Sequence, residues 1–144
     1  MKVAGTDAAA RVVERAKGDR VGALVFTIGT GCCESTAPFL YEDFWPGPDA
    51  RQVGEVAGVP VFAPEYLRAL YPGDDALAID VVDDPAESMS IETEYGCRFI
   101  LRDPAGAETA GQDRQTCEVP ETISALRARG PQELPEALRR ARIR

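Results

Sequence analysis

The sequence predicts one compact α+β domain, in which a strand-rich mixed or antiparallel sheet carries an N-terminal helix and a short C-terminal helical appendage. Three observations lead to this fold class. The chain has 144 residues, enough for a single core that buries about two-thirds of the unfolded surface. Hydrophobic residues make up 44% and charged residues 28% of the chain, as in ordinary globular proteins. Short β-branched and aromatic runs outnumber the segments with helical spacing.

The N-terminal helix is predicted from a cap, an apolar spacing and a stop signal. Thr6 or Asp7 can cap its first turn. Small and apolar side chains then recur at helical spacing from Ala9 to Ala16, which places them on one face. Gly18 marks the end of the segment.

The sheet is predicted from short apolar runs that are bounded by glycine and proline. A buried strand over 21–28 leads into a glycine-rich loop, and a returning strand follows over 37–44. Period-two alternation is clearest at Met89, Ile91 and Thr93. The remaining predictions are 53–63, as one strand or a hairpin, and strands over 76–82, 88–95 and 97–102.

Proline marks two further elements between these strands. The segment 45–52 contains two prolines and a glycine in turn-forming order and is predicted to be an exposed loop that carries Trp45. Pro64, at a first helical position, opens a short helix that Pro72 and Gly73 close.

Composition divides the chain into three parts. The α+β core is expected over 1–104. A flexible linker rich in Gly, Ala, Asp, Gln and Thr is expected over 105–120. The last part, 121–144, is a basic helical tail with proline at two helix starts and apolar residues at helical spacing.

Charge excludes one class of partner and leaves another open. The net charge is −8, so the chain lacks the basic face that a nucleic-acid surface needs. Residues 121–144 carry six Arg and three Glu, a net +3, which leaves −11 for residues 1–120. The tail can contact an acidic partner or fold back on the acidic body. The start of the chain lacks a signal-peptide apolar segment and no stretch reaches membrane-spanning length, so a cytoplasmic protein without membrane contact is expected.

The feature that carries chemistry is the pair Cys32–Cys33 in the loop "GTGCCES". Disulfides prefer Cα separations of roughly 4.4–6.8 Å, whereas neighbouring residues lie about 3.8 Å apart across a trans peptide bond. A bond within the pair is therefore strained and easily reduced, which suits a switch better than a structural link. Gly29 and Gly31 can adopt the unusual backbone angles that such a bond requires.

Two interpretations of the pair follow. It can be a reactive or ligand-gripping dithiol, activated by a nest of backbone N–H groups, although Glu34 opposes that activation. It can also be two small buried residues in a tight turn. In the first interpretation Gly29, Gly31 and Glu34 are ligand-binding candidates, joined by two aromatic residues that can line a neighbouring pocket, Tyr41 and Trp45.

Metal binding is the alternative chemistry for the four cysteines, 32, 33, 97 and 117. Thiolates suit zinc, Cu(I) and iron–sulfur clusters. The chain has no histidine and no C-x-x-C, so a site would have to gather distant segments or two subunits of a homodimer. Cys97 at a strand start is typical of a core residue, and Cys117 in the linker is either a resolving thiol or incidental. The absence of histidine also removes Cys-His and Ser-His-Asp schemes.

Several segments resemble an uncharacterised bacterial family, domain-of-unknown-function family 779. They are "GALVFTIGTGCCESTAPFLYE", "GEVAGVPVFAPEYLRAL", "LAIDVV" and "RFILR", and together they cover roughly residues 8–102. The most specific element is the glycine-flanked cysteine pair, followed shortly by Pro38. The resemblance implies an association with aldehyde dehydrogenases and therefore a dehydrogenase partner.

A weaker resemblance concerns the order of elements, which is similar to that of HesB-like A-type iron–sulfur carriers. It implies a HesB-like sheet in which Cys32 or Cys33 matches the loop cysteine of the carriers and Cys117 matches one of their tail cysteines.

Three functions stay open at this point. The first is a cytoplasmic accessory protein of aldehyde metabolism that acts through Cys32–Cys33 as a thiol redox or ligand-binding module. The second is a carrier of a metal or iron–sulfur cluster. The third is an enzyme that uses Cys32 or Cys33 as a nucleophile toward an electrophilic carbonyl. We expect a binding or accessory protein rather than an enzyme.

Overall fold

The computed structural model describes residues 1–29, 36–74, 76–84 and 88–109. These residues form a mixed sheet, two α-helices and one 3₁₀ helix. The prediction of a strand-rich mixed sheet with few helices is confirmed. The strands are β1 Lys2–Gly5, β2 Leu24–Ile28, β3 Pro38–Glu42, β4 Arg51–Val56, β5 Val59–Ala63, β6 Ala76–Val82 and β7 Arg98–Arg102. The helices are α1 Asp7–Asp19 and α2 Glu65–Leu70, and the 3₁₀ helix is Ile91–Tyr95.

The strands lie in the order β3-β2-β5-β4-β1-β6-β7. Parallel pairing joins β1 to β4, β1 to β6 and β2 to β5, and the other neighbours are antiparallel. As a result β2, β5 and β7 all run in one direction and finish at the same end of the sheet. We call this end the loop end, because the chain leaves β2 there toward the cysteine pair.

The sheet curls until its two edge strands, β3 and β7, approach one another. Side chains bridge the gap between them, which we call the seam. At the loop end, the Thr36 hydroxyl donates to the carbonyl oxygen of Thr109 at 2.8 Å. Further along, the N–H of Leu40 donates to the hydroxyl of Ser90 at 2.7 Å. The arrangement is therefore close to a barrel.

The core lies on the concave side of this sheet. Alternate residues of the strands point inward, and the ring of Phe26 meets the ring of Phe99 edge-on at 4.9 Å. Helix α1 adds its buried face, formed by Ala9, Val13 and Ala16. Apart from Glu92, the other fully buried large side chains are aliphatic and include Ile28, Leu40, Leu67, Leu77, Ile79 and Leu101.

The caps of α1 follow the sequence prediction. Thr6 is the N-cap, and its hydroxyl accepts a hydrogen bond from the N–H of Ala9 at 3.2 Å. The helix continues to Asp19, one residue past the predicted glycine stop. Pro64 likewise stands directly before α2, as predicted.

Two elements differ from the prediction. Strand β1 was not foreseen, because four residues are too short for a periodic signal; its N–H and C=O groups pair on both sides. The prediction of a strand over 88–95 is wrong. Met89, which the alternation placed inward, is 90% exposed, and the segment turns into the 3₁₀ helix. The physical reason is that Ser90 and Glu92 are buried, and their side chains accept hydrogen bonds from main-chain N–H groups of β3 and β7.

The chain turns back after β7. Within residues 105–109, which were expected to open the linker, the N–H of Thr109 donates to the carbonyl oxygen of Leu101 at 2.8 Å. The backbones of Glu108 and Arg102 pair as a single antiparallel β-bridge. The rest of the predicted linker and the whole predicted tail lie outside the described residues. No helix within the described residues is both long and apolar enough to span a membrane.

Candidate functional site

The loop that carries the cysteine pair has two described flanks, Gly29 and Thr36. Cys32 and Cys33 lie between them, outside the described residues, as do the ligand-binding candidates Gly31 and Glu34. Gly29 has φ +76°, a left-handed conformation that a residue with a Cβ adopts only at a cost. Its N–H donates to the carbonyl oxygen of Ala37 at 3.3 Å, which extends the β2–β3 pairing by one step beyond the strands. The place where the loop leaves the sheet is thus fixed.

Helix α2 holds the first flank. The hydroxyl of Tyr66 donates to the carbonyl oxygen of Gly29 at 2.7 Å. This contact arises from topology: β2 and β5 are parallel neighbours, so the helix that follows β5 starts at the loop end, next to the last residue of β2. Pro64 sets the direction in which the chain leaves β5.

The segment after β7 holds the second flank. Besides its bond to the Thr109 carbonyl, the oxygen of the Thr36 hydroxyl lies 3.5 Å from that of the Thr109 hydroxyl. Thr109 in turn is tied to β7 through the carbonyl oxygen of Leu101. The chain that enters β3 is therefore anchored to the opposite edge of the sheet.

The two aromatic ligand candidates lie on β3 and just beyond it. The ring of Tyr41 stacks on that of Phe39 at 6.2 Å and touches that of Phe44 at 4.7 Å. Tyr41 pairs with Val25, four residues before Gly29, so it lies roughly 13 Å along the strand from the flank of the loop. Trp45 is 73% exposed. The structure brings Tyr41 into a row of rings that starts beside the loop end, and places Trp45 after the far end of β3.

Cys97 is buried at the opposite end of the sheet. It directly precedes β7, which finishes at the loop end, so about 15 Å of strand separates it from that end. Its thiol lies 3.4 Å from the carbonyl oxygen of Glu92 and can donate to it. Burial raises the pKa of this thiol, with the carboxylates of Glu92 and Asp83 adding to the effect. Cys97 thus has the environment of a core residue, and Cys117 lies outside the described residues.

Metal-ligating side chains do not cluster in the part of the chain that the structure describes. Across residues 1–29, 36–74, 76–84 and 88–109, no group of three or more His, Cys, Asp and Glu residues comes together. Of the four cysteines considered as metal ligands, only Cys97 falls in these ranges. A site that uses it would draw on ligands at the far end of the sheet from the loop.

A buried polar pair was missed by the sequence prediction. Glu92 is 2% exposed, and its carboxyl accepts hydrogen bonds from the hydroxyl of Ser90 and, at 3.5 Å, from the N–H of Phe99. Burial raises the pKa of Glu92 above its ordinary value. In sequence the pair alternates with apolar residues, as polar residues do on the outer face of a strand. The alternation contains no signal that distinguishes a buried polar pair from the exposed face of a strand.

Comparison with known proteins identifies the family. A family described as "Domain of unknown function (DUF779)" matches residues 12–104. The chain belongs to the DUF779 family. No curated protein matches the chain.

The DUF779 match contains every part of the candidate site except Thr109. It begins inside α1 and ends just after β7, so it includes the cysteine pair, both flanks of its loop and the Ser90–Glu92 pair. Thr109, which anchors the second flank, comes after the match. The residues that hold the loop in place thus belong to the DUF779 domain and to the turn that follows it.

Proposed function

We propose that this DUF779 protein is a small accessory protein of aldehyde metabolism that acts through the thiols of Cys32 and Cys33, as a thiol redox or ligand-binding module. The observation that carries the proposal is the anchoring of both flanks of the cysteine loop at one end of the sheet. Tyr66 holds the Gly29 carbonyl and Thr109 holds Thr36. A dithiol that switches or grips a ligand needs a defined base of this kind.

The backbone at the first flank supports the same conclusion. Gly29 already occupies a left-handed conformation, so the chain approaches the pair through a residue that tolerates unusual angles. A bond between adjacent cysteines is strained, and strained disulfides have the higher reduction potentials of labile, regulatory bonds. We therefore propose that the disulfide between Cys32 and Cys33 forms and is reduced readily.

The redox step needs a second thiol–disulfide couple. A thiolate of the pair attacks an incoming disulfide, one thiol of that disulfide leaves, and the second thiol of the pair then displaces the other. The pair loses two electrons and two protons in total, and the incoming disulfide leaves as two thiols. Glutathione in its oxidised form is a suitable partner of this class.

Cys97 has no part in this proposal. Its thiol is buried, its pKa is raised, and it lies at the other end of the sheet. This position favours a function of Cys32 and Cys33 without it. A metal or iron–sulfur carrier, the HesB-like alternative, would then take its ligands from Cys32, Cys33 and Cys117 or from two copies of the chain.

The link to aldehyde metabolism rests on the family resemblance. An aldehyde dehydrogenase is accordingly the proposed partner, and the reducing cytoplasm is the proposed compartment, where a labile disulfide responds to the thiol pool. The test adds wild-type protein, Cys32→Ser or Cys33→Ser to a purified dehydrogenase. We expect wild type alone to change aldehyde turnover or its resistance to oxidation; equal effects from all three would remove this link.

Ligand gripping is tested with a trivalent aryl arsenical, such as phenylarsine oxide. The arsenic binds two thiolates, and its oxygen leaves as water. We expect one equivalent per reduced chain, seen by native mass spectrometry. Cys32→Ser and Cys33→Ser should each abolish it, whereas Cys117→Ser should retain it. Retention by both variants of the pair, or loss in Cys117→Ser, would contradict a two-thiol grip within the loop.

A further inference from the structure

The seam between β3 and β7 is bridged by two side chains of one short segment. The N–H of Leu40 on β3 points away from β2 and donates to the hydroxyl of Ser90 at 2.7 Å. The N–H of Phe99 on β7 points away from β6 and donates to the carboxyl of Glu92 at 3.5 Å. Ser90 and Glu92 also bond to one another. The main-chain groups of two sheet edges are thus joined through a buried serine and a buried glutamate.

The Ser90 hydroxyl has two acceptors within reach. One is the carboxyl of Glu92, and the other is the carbonyl oxygen of Leu40 at 3.4 Å. A hydroxyl has only one proton to donate. Which acceptor receives it depends on whether Glu92 itself carries a proton.

We propose that Glu92 is a proton-dependent clasp of the seam, which closes β3 onto β7 when its carboxyl is neutral and loosens them when it ionises. In the neutral state the carboxyl O–H donates to the Ser90 oxygen, and the Ser90 hydroxyl donates to the Leu40 carbonyl. Every buried polar group of the bridge then has a partner. On ionisation the proton goes to solvent, and the Ser90 hydroxyl turns to the carboxylate, leaving the Leu40 carbonyl without it.

Burial gives the two states different energies. A carboxylate in an apolar site without a cation is costly, and opening the seam to water relieves that cost. The donors to the Glu92 carboxyl among the described residues are the Ser90 hydroxyl, the Phe99 N–H and the N–H of Glu92 itself, all neutral. Burial accordingly raises the pKa of Glu92, which moves its titration toward neutral pH.

The arginines near the clasp are engaged elsewhere. The 3₁₀ helix packs against β3, α1 and β7. On the α1 side, Arg15 lies over the Tyr95 ring at 4.0 Å, and Arg20 pairs with Glu94 at 2.5 Å. On β7, Arg98 pairs with the carboxylates of Asp84 and Glu108. Among the residues that the structure describes, the other titratable groups around these pairs are Asp19, Glu42, Asp83 and Cys97.

The clasp and the cysteine loop share strand β3. Leu40 lies four residues after Thr36, the second flank of the loop. Loosening the seam at Leu40 would release the strand that carries this flank. The clasp can be tested independently of the proposed thiol function, because the measurement is hydrogen exchange at backbone amides.

The test is amide hydrogen exchange on the full-length protein, read as protection factors so that the intrinsic pH dependence of exchange is removed. We expect protection of the Leu40 and Phe99 amides to fall as pH rises above the ordinary titration range of Glu, by up to about tenfold per pH unit. In Glu92→Gln, whose carboxamide stays neutral, protection should be independent of pH. Glu94→Gln, at a neighbouring exposed carboxylate, should behave as wild type.

A second readout keeps the proposal falsifiable if Glu92→Gln folds poorly. The carboxyl carbon of Glu92 is followed by NMR in the wild-type protein. Its titration midpoint should lie above the ordinary range of Glu, and the loss of Leu40 protection should begin near that ordinary range and level off near the Glu92 midpoint. An unshifted midpoint, a protection loss that continues unchanged past the Glu92 midpoint, or an unchanged pH dependence in Glu92→Gln would overturn the clasp.

Discussion

At the residue scale, Ser90 illustrates how one hydroxyl can replace a strand pairing. It accepts from the N–H of Leu40, at an edge where no further strand of the described residues pairs with β3, and it also bonds to Glu92. Two residues earlier on β3, Pro38 has no N–H to satisfy. At the edge of β3 that faces the seam, Ser90 thus satisfies the N–H of Leu40, and Pro38 has no N–H to satisfy.

The first prediction concerns this hydroxyl. Ser90→Ala leaves the N–H of Leu40 buried without a partner and removes a donor from Glu92, so we expect a loss of about 1–3 kcal/mol in the free energy of unfolding. Urea denaturation measures it. The exposed Ser88, whose hydroxyl accepts one bond from the Ser90 N–H, is the control; Ser88→Ala should cost less than half as much. Equal costs would show that the buried bond has no special role.

At the element scale, local backbone chemistry accounts for the β4–β5 hairpin. Its two turn residues, Ala57 and Gly58, have φ of +48° and +75°, as a two-residue turn between twisted strands requires. Ala57 adopts an angle that is uncommon for a residue with a Cβ, and Gly58 adopts one at no steric cost. The hairpin thus depends on the second residue being glycine.

The second prediction compares two glycines at which an added Cβ would meet no close neighbour, because Gly18 faces open space and the nearest atom at Gly58 is the Lys17 Nζ at 3.9 Å. Gly58→Ala places a Cβ on a left-handed residue and should lower the free energy of unfolding by about 1 kcal/mol. Gly18→Ala lies inside α1 and should raise it by up to about 1 kcal/mol, because alanine is the better helix former. Thermal denaturation of both variants checks the opposite signs, and a shared sign would contradict the backbone account.

Asp80 links three elements and gives the third prediction. Its carboxylate accepts from the Thr6 hydroxyl at 2.8 Å and from Nε of Arg102 at 2.6 Å, which joins β6 to the start of α1 and to β7. The hydrogen bond from Arg102 lowers the pKa of Asp80. A lowered pKa in the folded state means that this stabilisation is present above the ordinary Asp pKa and is lost as pH falls through the folded value.

Asp80→Asn should therefore destabilise the protein near pH 7 by about 1–2 kcal/mol and have little effect once wild-type Asp80 is protonated. Denaturation curves measured from pH 7 down to pH 3 show whether the two proteins converge. Exposed Asp74, paired with Lys2 at 3.3 Å, is the control, and Asp74→Asn should have a small effect at every pH. A difference between Asp80→Asn and wild type that is the same at pH 3 as at pH 7 would contradict the assignment.

At the scale of the whole molecule, local patterns predicted the elements but could not predict the sheet order. The cap at Thr6, the run over 21–28, of which 24–28 forms β2, and the proline before α2 are local signals, and each of these elements formed at or within its signal. Strand β1, by contrast, is recognisable only through its partners β4 and β6, which come some fifty and seventy residues later. Pairing over such distances leaves no periodic trace in the sequence.

For the candidate site, too, the sequence predicted the local features and missed those that depend on the sheet order. A strand followed by glycines predicted where the cysteine loop leaves the sheet, and Gly29 confirms that position. The anchors Tyr66 and Thr109 could not be predicted, because they meet the loop through the sheet order. Glu92 was missed because alternation with apolar residues is equally typical of an exposed strand face. Burial of a carboxylate is a tertiary property.

The central claim, that Cys32 and Cys33 form a redox-active pair while Cys97 stays inert, has one direct test. Trypsin separates the four cysteines into peptides 21–51, 69–98 and 115–127, so each thiol population can be followed independently. The native protein is equilibrated in glutathione buffers of graded potential, quenched by alkylation and mapped by mass spectrometry. Peptide 21–51 should lose two hydrogens as the potential rises, while Cys97 in peptide 69–98 stays a thiol. An unoxidised pair across the whole range, or a disulfide that joins Cys97 to another peptide, would contradict the account.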